Sequence, residues 1–455
     1  MGRPHRSRSP RRVVLCGGGV AGVEALLALR ALLEVGVELH LVDPNRQFVY
    51  QPLAVAAPFD LAETHLFDLA EIAGEQSAKL HVDSLTRVDA DGRCVGLASG
   101  NVLPYDDLIV AVGAQRRDWL EDALHFAGAA DVAAFRALLE RLESGSDERL
   151  AFVNPAGVSW TLPLYELALL TASHLADRGV IGVELTVVTP EKDPLAVFGP
   201  AASRMLRSLL TDRGIALKAG AYAEKIQDGE LHLHPRATLE VDQVVTLAQL
   251  EGPALPGLPS DADGFIAVDE HSRVTGLEDV YAAGDGTTFP VKQGGIATQQ
   301  ADAAAEAIAA QMGAAVPPSP IRPTLRGRLL TGIAPIYLRA QIAGTGDSFE
   351  IAANPLWWPP SKIAGRYLAP YLAGHSPLTR GETLQDRPPS TRDPARIQES
   401  HDEARELALT FAEHDAADGH FQSALQWLDV LEQIEGVLPP GYLHKRADWQ
   451  DRARE

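Results

Sequence analysis

The chain has 455 residues, of which 46% are hydrophobic and 22% charged, which is typical of a folded globular protein with roughly two to four domains. Its formal net charge of −21 argues against a nucleic-acid binder, and its two cysteines, Cys16 and Cys94, exclude a disulfide framework and suit a reducing cytoplasm. We find no uninterrupted apolar run of about 20 residues, so the sequence predicts no transmembrane helix, and we assign no metal site.

Residues 1–11 are predicted to form a disordered basic tail. The opening stretch MGRPHRSRSPRR contains five arginines and no acidic residue, and no apolar stretch of signal-peptide length follows outside the first strand and helix. Contact of this tail with an anionic surface is the alternative interpretation.

A strand predicted at 12–17 leads directly into the glycine-rich stretch Gly17-Gly-Gly-Val-Ala-Gly22, and a helix is predicted at 23–33. The next predicted strand covers 37–42 and ends at Asp43. Strand, glycine turn, helix, strand and terminal acid in this order are typical of a dinucleotide-binding βαβ unit. The alternative is a glycine-rich turn in an α/β sheet beside an empty cleft.

The glycine-rich stretch predicts a cradle for a pyrophosphate. Gly17 permits the tight turn, Gly19 lets the backbone approach the phosphates, and Gly22 lets the helix pack closely on the strand. Val20 and Ala21 lead into the predicted helix, whose N-terminus offers free N–H groups and the positive end of the helix dipole to the phosphates.

Asp43 is placed to accept hydrogen bonds from the ribose of an adenosine. Arg46 is a possible contact for a 2′-phosphate, but the Asp43 carboxylate would repel such a group. The sequence therefore favours an unphosphorylated ribose.

Two later segments identify the dinucleotide. Asp107-Leu-Ile-Val-Ala-Val-Gly-Ala114 resembles the strand that returns to the dinucleotide in two-domain flavoproteins, with Ala111-Val-Gly113 in place of the usual Ala-Thr-Gly. Val280-Tyr-Ala-Ala-Gly284-Asp285 resembles the second FAD motif of those enzymes, whose aspartate holds the ribityl and pyrophosphate part of FAD. Over residues 11 to about 315 the chain thus resembles the pyridine-nucleotide–disulfide oxidoreductase superfamily.

This resemblance implies an α/β fold with two Rossmann-like dinucleotide-binding domains and FAD as the cofactor. We predict five regions, of which the last two are a small C-terminal domain and a terminal helical hairpin. They are a basic tail at 1–11, an FAD-binding domain at 12–145 and 260–315, a degraded NAD(P)-binding-like domain at 146–259, a C-terminal interface region at 316–395 and a tetratricopeptide-like hairpin at 396–455.

The stretch Lys292-Gln-Gly-Gly295-Ile296-Ala-Thr-Gln-Gln300-Ala opens a predicted helix that ends near Gln311. It resembles the helix that points its N-terminus at the flavin in type II NADH dehydrogenases and sulfide:quinone oxidoreductases. A helix N-terminus stabilises the negative charge of a reduced flavin, and Lys292 adds a cation there unless it is an exposed loop lysine. The pair Gln299-Gln300 resembles one that lies by the quinone pocket of the dehydrogenases, but Gly295 replaces the glutamine that usually precedes it.

The second nucleotide site has lost its glycines. A predicted strand at 150–154 is followed by Pro155-Ala-Gly-Val-Ser-Trp-Thr-Leu-Pro-Leu-Tyr-Glu166, which has one glycine and carries Trp160 and Pro163 where backbone should approach a pyrophosphate. A helix at 167–175 and a strand at 183–188 complete the predicted unit. The segment resembles that of sulfide:quinone oxidoreductases and flavocytochrome sulfide dehydrogenases, which do not take electrons from NADH.

Glu166 lies where the family's glutamate reaches toward the flavin. As a buried carboxylate it would have a raised pKa and relay a proton; the alternative is a helix-start glutamate favoured by the helix dipole. Sulfide oxidation needs two redox cysteines beside the flavin, whereas Cys16 and Cys94 are predicted to be packed thiols elsewhere.

Two C-terminal features have open roles. The segment 355–372 mixes aromatic residues, cations and prolines, and is either an interfacial membrane anchor or a packed loop that covers the flavin. The hairpin at 396–455 packs on the body or docks a partner, because a single hairpin cannot bury itself.

Our leading hypothesis is an FAD-dependent enzyme that takes electrons from a small-molecule donor other than free NADH and passes them to an acceptor, for which a quinone is considered. The alternatives are an NAD(P)H-dependent oxidoreductase and a flavin-holding scaffold or sensor with a partner-docking hairpin. A cytoplasmic location is expected, with peripheral contact at the inner membrane face and a homodimer as open possibilities.

Overall fold

A computed structural model describes residues 10–33, 36–341, 348–375 and 440–452, together with isolated positions between 409 and 438. The predicted basic tail lies outside the described residues except for its last two. Most of the predicted hairpin at 396–455 also lies outside them, although Ala412, Ala424 and Leu428 are buried.

The described residues form strands and helices in alternating order, as the composition predicts for an α/β chain. The strands are β1 Arg11–Cys16, β2 Val37–Asp43, β3 Gln47–Tyr50, β4 His65–Asp68, β5 Ala78–Val82, β6 Leu85–Asp89, β7 Cys94–Leu97, β8 Val102–Pro104, β9 Asp107–Val110, β10 Gln115–Arg117, β11 Leu124–Phe126, β12 Arg149–Val153, β13 Glu184–Thr189, β14 Ala216–Ala219, β15 Tyr222–Gln227, β16 Glu230–His234, β17 Ala237–Glu240, β18 Gln243–Leu247, β19 Gln249–Glu251, β20 Val280–Ala282, β21 Thr324–Leu329, β22 Ile336–Gln341 and β23 Ser348–Ala352. The helices are α1 Val20–Leu32, α2 Leu69–Glu75, α3 Val132–Glu143, α4 Leu162–Asp177, α5 Gly199–Asp212, α6 Gly294–Gln311, α7 Leu368–His375 and α8 Pro440–Arg452.

The first parallel sheet has the strand order β20-β9-β1-β2-β5. Strand β1 lies at its centre because Val13, Val14 and Leu15 are apolar on both faces, as a strand covered on both sides requires. Helices α1 and α6 pack against each other along small residues such as Ala25 and Ala304, both fully buried. The carboxyl ends of β1, β2 and β9 therefore meet at one edge, where a doubly wound fold binds its ligand.

The second parallel sheet has the order β11-β18-β12-β13-β14 and packs on α4 and α5. Strand β11 falls within the range 12–145 assigned from sequence to the FAD-binding domain, yet it pairs in parallel with β18. The chain therefore crosses to the second sheet before helix α3, and this crossing carries no composition change in the sequence.

The third sheet is the antiparallel β21-β22-β23, in which β21 contacts α4 and α6 and β23 contacts α5. Beyond it, residues 355–375 return to the first domain, where the Glu24 carboxylate of α1 accepts hydrogen bonds from the backbone N–H groups of Tyr367 and Leu368 at 2.9 and 2.6 Å. Glu24 thus caps the start of α7. Within the described part of the chain, no helix has the length and apolar character needed to span a bilayer.

Candidate functional site

The glycine cradle lies between β1 and α1 and is shaped by two close backbone contacts. Gly17 has a φ of +116°, and a Cβ on it would lie 2.1 Å from the Ala111 carbonyl oxygen. A Cβ on Gly22 would lie 1.7 Å from the Gly17 carbonyl oxygen. A Cβ on Gly19, in contrast, would meet no heavy atom within 4 Å, so this side of the turn is open space.

Helix α1 begins at Val20, three residues earlier than the sequence predicts, because Gly19 is its N-cap. Gly19 has no side chain to satisfy the first N–H groups, so those of Val20 and Ala21 face the open space. This arrangement fits a pyrophosphate, which helix N-termini bind through free N–H groups.

Asp43 ends β2 beside the cradle, as predicted. Its carboxylate accepts the backbone N–H of Gly18 at 2.6 Å and that of Asn45 at 2.7 Å. Each oxygen keeps a further lone pair, so a ribose hydroxyl group can still donate to this carboxylate.

The second FAD motif lies two strands from β1, with β9 between them. Ala111 follows β9 and its N–H donates to the Cys16 carbonyl oxygen at 2.7 Å, which brings the Ala111-Val-Gly113 turn against the cradle. Strand β20 pairs with β9 and delivers Gly284, whose N–H donates to Gln300 Oε1 at 2.8 Å, and then Asp285. Burial raises the pKa of the Asp285 carboxyl, while the charge on Lys292 opposes this shift.

A cleft of about 780 Å³ lies between the first sheet, the second domain and the third sheet. Its wall includes Asp285, Lys292 and Gly294 from the flavin motifs and Trp160, Pro163 and Glu166 from the second domain, and the residues that close it from the C-terminal side are Arg326, Arg328, Lys362 and Ile363. A cleft of this size at the carboxyl edge of a parallel sheet is where cofactor and substrate meet in such folds.

Lys292 is not an exposed loop lysine. Its Nζ donates to the Thr287 carbonyl oxygen and lies 3.8 Å from the centre of the Phe265 ring. Burial lowers its pKa to about 8, and the nearby Asp285 carboxylate partly offsets this effect. A cation therefore lines the cleft beside Asp285, as one of the two sequence interpretations requires.

Helix α6 starts at Gly294 and points its N-terminus at the cleft, with Gly295 and Ile296 buried in its first turn. The two glutamines that resemble a quinone-pocket pair have other partners. Gln299 hydrogen-bonds to the backbone of Gly295 and Thr324, and Gln300 bonds to Gly284 and Thr287. Neither lines the cleft, so these amides support the packing of α6 and offer no contact for a quinone there.

Glu166 is fully buried in the first turn region of α4. Its carboxylate accepts two hydrogen bonds from Lys362 Nζ at 2.6 and 2.5 Å and one from the Leu330 N–H at 2.8 Å. Burial raises the pKa of Glu166 and the Lys362 charge lowers it, with burial the larger effect. Burial likewise lowers the pKa of Lys362, whose side chain is 7% exposed.

The strand-to-helix junction of the second domain differs from the first. Residues 154–161 separate β12 from α4, whereas three glycines separate β1 from α1. Trp160 packs edge-on against Phe198 with ring centres 5.8 Å apart, and Pro163 lies in the first turn of α4, where it lacks an N–H. Pro163 therefore removes one of the backbone N–H groups at the start of α4.

Both cysteines lie away from the cleft. Cys16 is fully buried in β1, and burial raises the pKa of its thiol to about 12, while Cys94 is half-buried in β7. Neither lines the cleft, in agreement with their interpretation as packed thiols.

Sequence reasoning missed Lys362, Arg326 and Arg328 as members of the site. Lys362 comes from the 355–372 segment. Around Lys362 this segment is a packed loop, because the Ile363 N–H also donates to the Tyr50 hydroxyl at 3.1 Å. Trp358 of the same segment is 85% exposed. The sequence signal that could have identified Arg326 and Arg328 is the alternation of apolar and polar residues in β21, which places both arginines on one face of the strand.

Comparisons with known proteins agree with this geometry. A model of the family described as pyridine nucleotide-disulphide oxidoreductase matches residues 11–309. The chain is 26% identical over 326 residues to the alternative NAD(P)H-ubiquinone oxidoreductase C1, chloroplastic/mitochondrial, of Arabidopsis thaliana, with 63% of each protein covered. It is 28% identical over 292 residues to an NADH dehydrogenase-like protein of Mycobacterium tuberculosis, covering 60% of this chain and 72% of that protein.

Among solved structures, the sulfide:quinone oxidoreductase from the hyperthermophilic bacterium Aquifex aeolicus matches with a TM-score of 0.68 at 20% identity, over 75% of this chain and 87% of that one. At this identity the match concerns the fold. The chain spans about 63% of the length of its Arabidopsis relative. The cradle geometry and the family match together identify FAD as the cofactor of the first domain.

Proposed function

Because this chain belongs to the pyridine nucleotide-disulphide oxidoreductase family, we propose that it is an FAD-dependent oxidoreductase whose electron donor is a small molecule other than free NADH. Its acceptor is a second small molecule, with a quinone as the leading class. The observation that carries this proposal is the contrast between the two strand-to-helix junctions. The first is a three-glycine turn with open space at Gly19, whereas the second, residues 154–161, has one glycine, carries Trp160 packed against Phe198, and is followed by Pro163 in the first turn of α4.

The residues that would hold FAD follow from the geometry of the first domain. The N–H groups of Val20 and Ala21 bind the pyrophosphate, Asp43 accepts from the adenosine ribose, and Asp285 accepts from the ribityl chain. Among the described residues no donor hydrogen-bonds to the Asp285 carboxylate, so its oxygens are available. Bound FAD supplies the carrier for electrons between donor and acceptor.

The helix α6 N-terminus and Lys292 provide positive charge at one end of the cleft. Gly294 at the start of α6 lines the cleft, and the Gly295 N–H in the same turn can be accepted by a ring carbonyl, whereas the Ile296 N–H already donates to the Gln293 carbonyl oxygen at 2.9 Å. The Lys292 ammonium adds a cation beside this turn. Both features stabilise negative charge that develops on a cofactor when it is reduced.

The Glu166–Lys362 pair is the proton-holding group of the cleft. Two hydrogen bonds join the carboxylate to Nζ inside a buried site, so a proton on Lys362 Nζ can move to a Glu166 oxygen along an existing hydrogen bond. The raised pKa of Glu166 and the lowered pKa of Lys362 bring the two groups closer in proton affinity. The pair thus supplies or removes a proton where the substrate reacts.

A quinone acceptor is supported by the names of the relatives, since one is an NAD(P)H-ubiquinone oxidoreductase and the matched Aquifex structure is a sulfide:quinone oxidoreductase. The cleft supports it less specifically, through its volume of about 780 Å³ and its aromatic wall. The glutamine pair gives it no support, because Gln299 and Gln300 bond to backbone and to Thr287.

The proposal is tested by anaerobic stopped-flow reduction of the purified, FAD-loaded protein with NADH, NADPH and sulfide. We expect slow bleaching of the flavin by NADH and NADPH at all concentrations. Dithionite serves as the control, because it must bleach the same preparation and so prove that the flavin is intact. Rapid reduction that saturates at a low NADH concentration contradicts the proposed donor.

A second candidate keeps NAD(P)H as the donor, bound loosely in the modified second domain. The names of two relatives, an NAD(P)H-ubiquinone oxidoreductase and an NADH dehydrogenase-like protein, favour it. In this case NADH or NADPH reduces the flavin rapidly but with a weak apparent affinity, and Trp160→Ala increases that affinity by making room for the dinucleotide. The same stopped-flow series therefore separates the two candidates.

A further inference from the structure

Strand β21 presents two arginines to the cleft from the C-terminal sheet. Its side chains alternate in burial, so Leu325, Gly327 and Leu329 face the core while Arg326 and Arg328 share the opposite face. A Cβ on Gly327 would lie 2.9 Å from the Phe198 ring, which shows how closely the strand is held against the second domain. Both arginines line the cleft.

These arginines have no acidic partner among the described residues. The Nε atoms of Arg326 and Arg328 are both buried and make no hydrogen bond. Arg328 donates through Nη1 to the Pro360 carbonyl oxygen at 3.1 Å, and its guanidinium lies 5.9 Å from the centre of the Tyr337 ring, but it makes no bond to a carboxylate of the described residues. The acid nearest in effect is Glu166, which is already bonded to Lys362 and whose pKa the Arg328 charge lowers. A half-buried guanidinium whose buried Nε has no partner is costly, so its retention in a cleft indicates a ligand.

The neighbouring strand makes this position still less favourable for a lone cation. Arg326 lies directly opposite Arg339 on β22. Glu350 forms its ion pair with Arg339 and not with Arg326. Like charges directly opposite each other destabilise a sheet. Burial, and after it the Arg339 charge, lowers the pKa of Arg326. An anion bound at Arg326 would relieve both effects.

The cleft as a whole has the opposite charge balance to the chain. Six cationic side chains and four carboxylates line it, whereas the full chain has a formal net charge of −21. Of the cations, Lys362 pairs with Glu166, Arg117 with Glu251 and Arg116 with Asp131, and Lys292 lies beside the Asp285 carboxylate. The remaining two, Arg326 and Arg328 of β21, form no ion pair among the described residues. The rest of the wall includes Trp160, Phe265 and Phe289.

We propose that Arg326 and Arg328 bind the carboxylate of an organic substrate whose apolar part lies among the aromatic side chains of the same cleft. A guanidinium offers a planar fork of N–H donors that matches a carboxylate. The inference rests on the proposed function only in taking the cleft as the substrate site. It narrows the donor or the acceptor to an anionic organic molecule.

The test is a calorimetric titration of the FAD-loaded protein with benzoate and with its uncharged analogue benzamide, followed in parallel by the flavin absorption spectrum. We expect benzoate to bind at least about tenfold more tightly than benzamide, because hydrogen bonds to charged groups are strong enough for such a ratio. Arg326→Gln and Arg328→Gln should each lower this ratio toward one. Arg326→Lys should give an intermediate ratio, since it keeps the charge and loses the fork.

Arg339→Gln is the matched control, because it removes one positive charge from the adjacent strand without touching the cleft wall; it should keep the benzoate preference. Equal affinity for the two probes, binding of neither, or an unchanged ratio in both glutamine variants overturns the proposal. So does loss of FAD from Arg326→Gln, which would assign the arginine to the cofactor. Rapid reduction by NADH would contradict the proposed donor but leave the ratio of benzoate to benzamide affinity unchanged. Failure of the proposed function and failure of the carboxylate site are therefore distinguishable.

Discussion

Replacing Glu166 with glutamine tests how the cleft is held together. The wild-type carboxylate is fully buried and accepts bonds from Lys362 Nζ and the Leu330 N–H. Glutamine has nearly the same volume and its oxygen still accepts from Leu330, but it carries no charge. Lys362, with its side chain 7% exposed, is left as a buried cation without a counter-charge.

Removing one partner of a buried ion pair costs about 3–5 kcal/mol of unfolding free energy. Burial already lowers the pKa of Lys362, so in Glu166→Gln this lysine escapes part of the cost by releasing its proton, and we expect the lower end, ~3 kcal/mol. With an unfolding entropy of about 2.1 cal/mol/K per residue, that loss lowers the Tm of a chain this long by on the order of 3 °C. The double variant Glu166→Gln, Lys362→Met should recover to within about 1 kcal/mol of wild type, because both charges are then gone.

Differential scanning calorimetry of the FAD-loaded proteins at pH 7 measures these shifts. Glu350→Gln is the control: it breaks the half-exposed pair with Arg339, which should cost no more than about 1 kcal/mol. An unchanged Tm for Glu166→Gln, or a double variant that loses the sum of the two single losses, would refute the assignment of this pair.

Four further changes test the cradle and two buried titratable groups. Gly19→Ala should lower FAD affinity at least tenfold but keep the stability of the apoprotein within about 1 kcal/mol, because its Cβ enters only open space. Gly22→Ala should lose both FAD and stability, because its Cβ would lie 1.7 Å from a carbonyl oxygen. Burial and the neighbouring Glu24 carboxyl raise the pKa of Asp302 to about 9, so the folded chain keeps a proton that the unfolded chain releases, and stability falls as pH rises toward 9. Asp302→Asn should remove this slope and stabilise the protein more at pH 8.5 than at pH 6 in urea unfolding. The pKa of Lys292 is about 8, so its positive charge is lost above that pH. Lys292→Met should therefore lower the flavin midpoint potential at pH 7 and abolish an inflection near pH 8 in the plot of that potential against pH.

Each of these has an outcome that contradicts it. Normal flavin content in Gly19→Ala, measured as the ratio of flavin to protein absorbance, means that the open space does not hold the pyrophosphate. A Gly22→Ala protein with wild-type Tm contradicts the close packing at the turn. Parallel stability curves for wild type and Asp302→Asn mean that Asp302 is ionised in the folded protein. An inflection near pH 8 that persists in Lys292→Met belongs to another group.

The first dinucleotide unit was predictable from sequence because its roles are local. Gly17, Gly19 and Gly22 lie within six residues of one another and each answers a steric need of the same turn, so spacing alone carries the information. The helix start was placed three residues late, since Val20 to Gly22 had been counted as part of the turn. The absence of a three-glycine turn at the second junction is visible in the sequence for the same local reason, through Trp160 and Pro163.

The partners of Glu166 were not predictable, because they come from distant parts of the chain. Lys362 lies 196 residues later in a segment rich in proline and aromatic residues, whose composition allowed either a membrane anchor or a packed loop. Arg326 and Arg328 lie in a six-residue strand whose alternation indicates a half-buried position but not which cleft it faces. Burial of Glu166 could be expected from the family resemblance, whereas its counter-charge required the fold.

The closure of the site by the 355–375 segment has a consequence for how the protein is made. Three buried polar groups of the first two domains bind partners that are synthesised much later. Glu166 pairs with Lys362, the Tyr50 hydroxyl accepts from the Ile363 N–H, and Glu24 accepts from the Leu368 N–H. At roughly 5–20 residues per second, the ribosome needs on the order of 10–40 s to travel from Glu166 to Lys362. During that interval the nascent cleft is open to water on its C-terminal side. A chain cut after helix α6 would lack all three partners, and its cleft would stay open on that side.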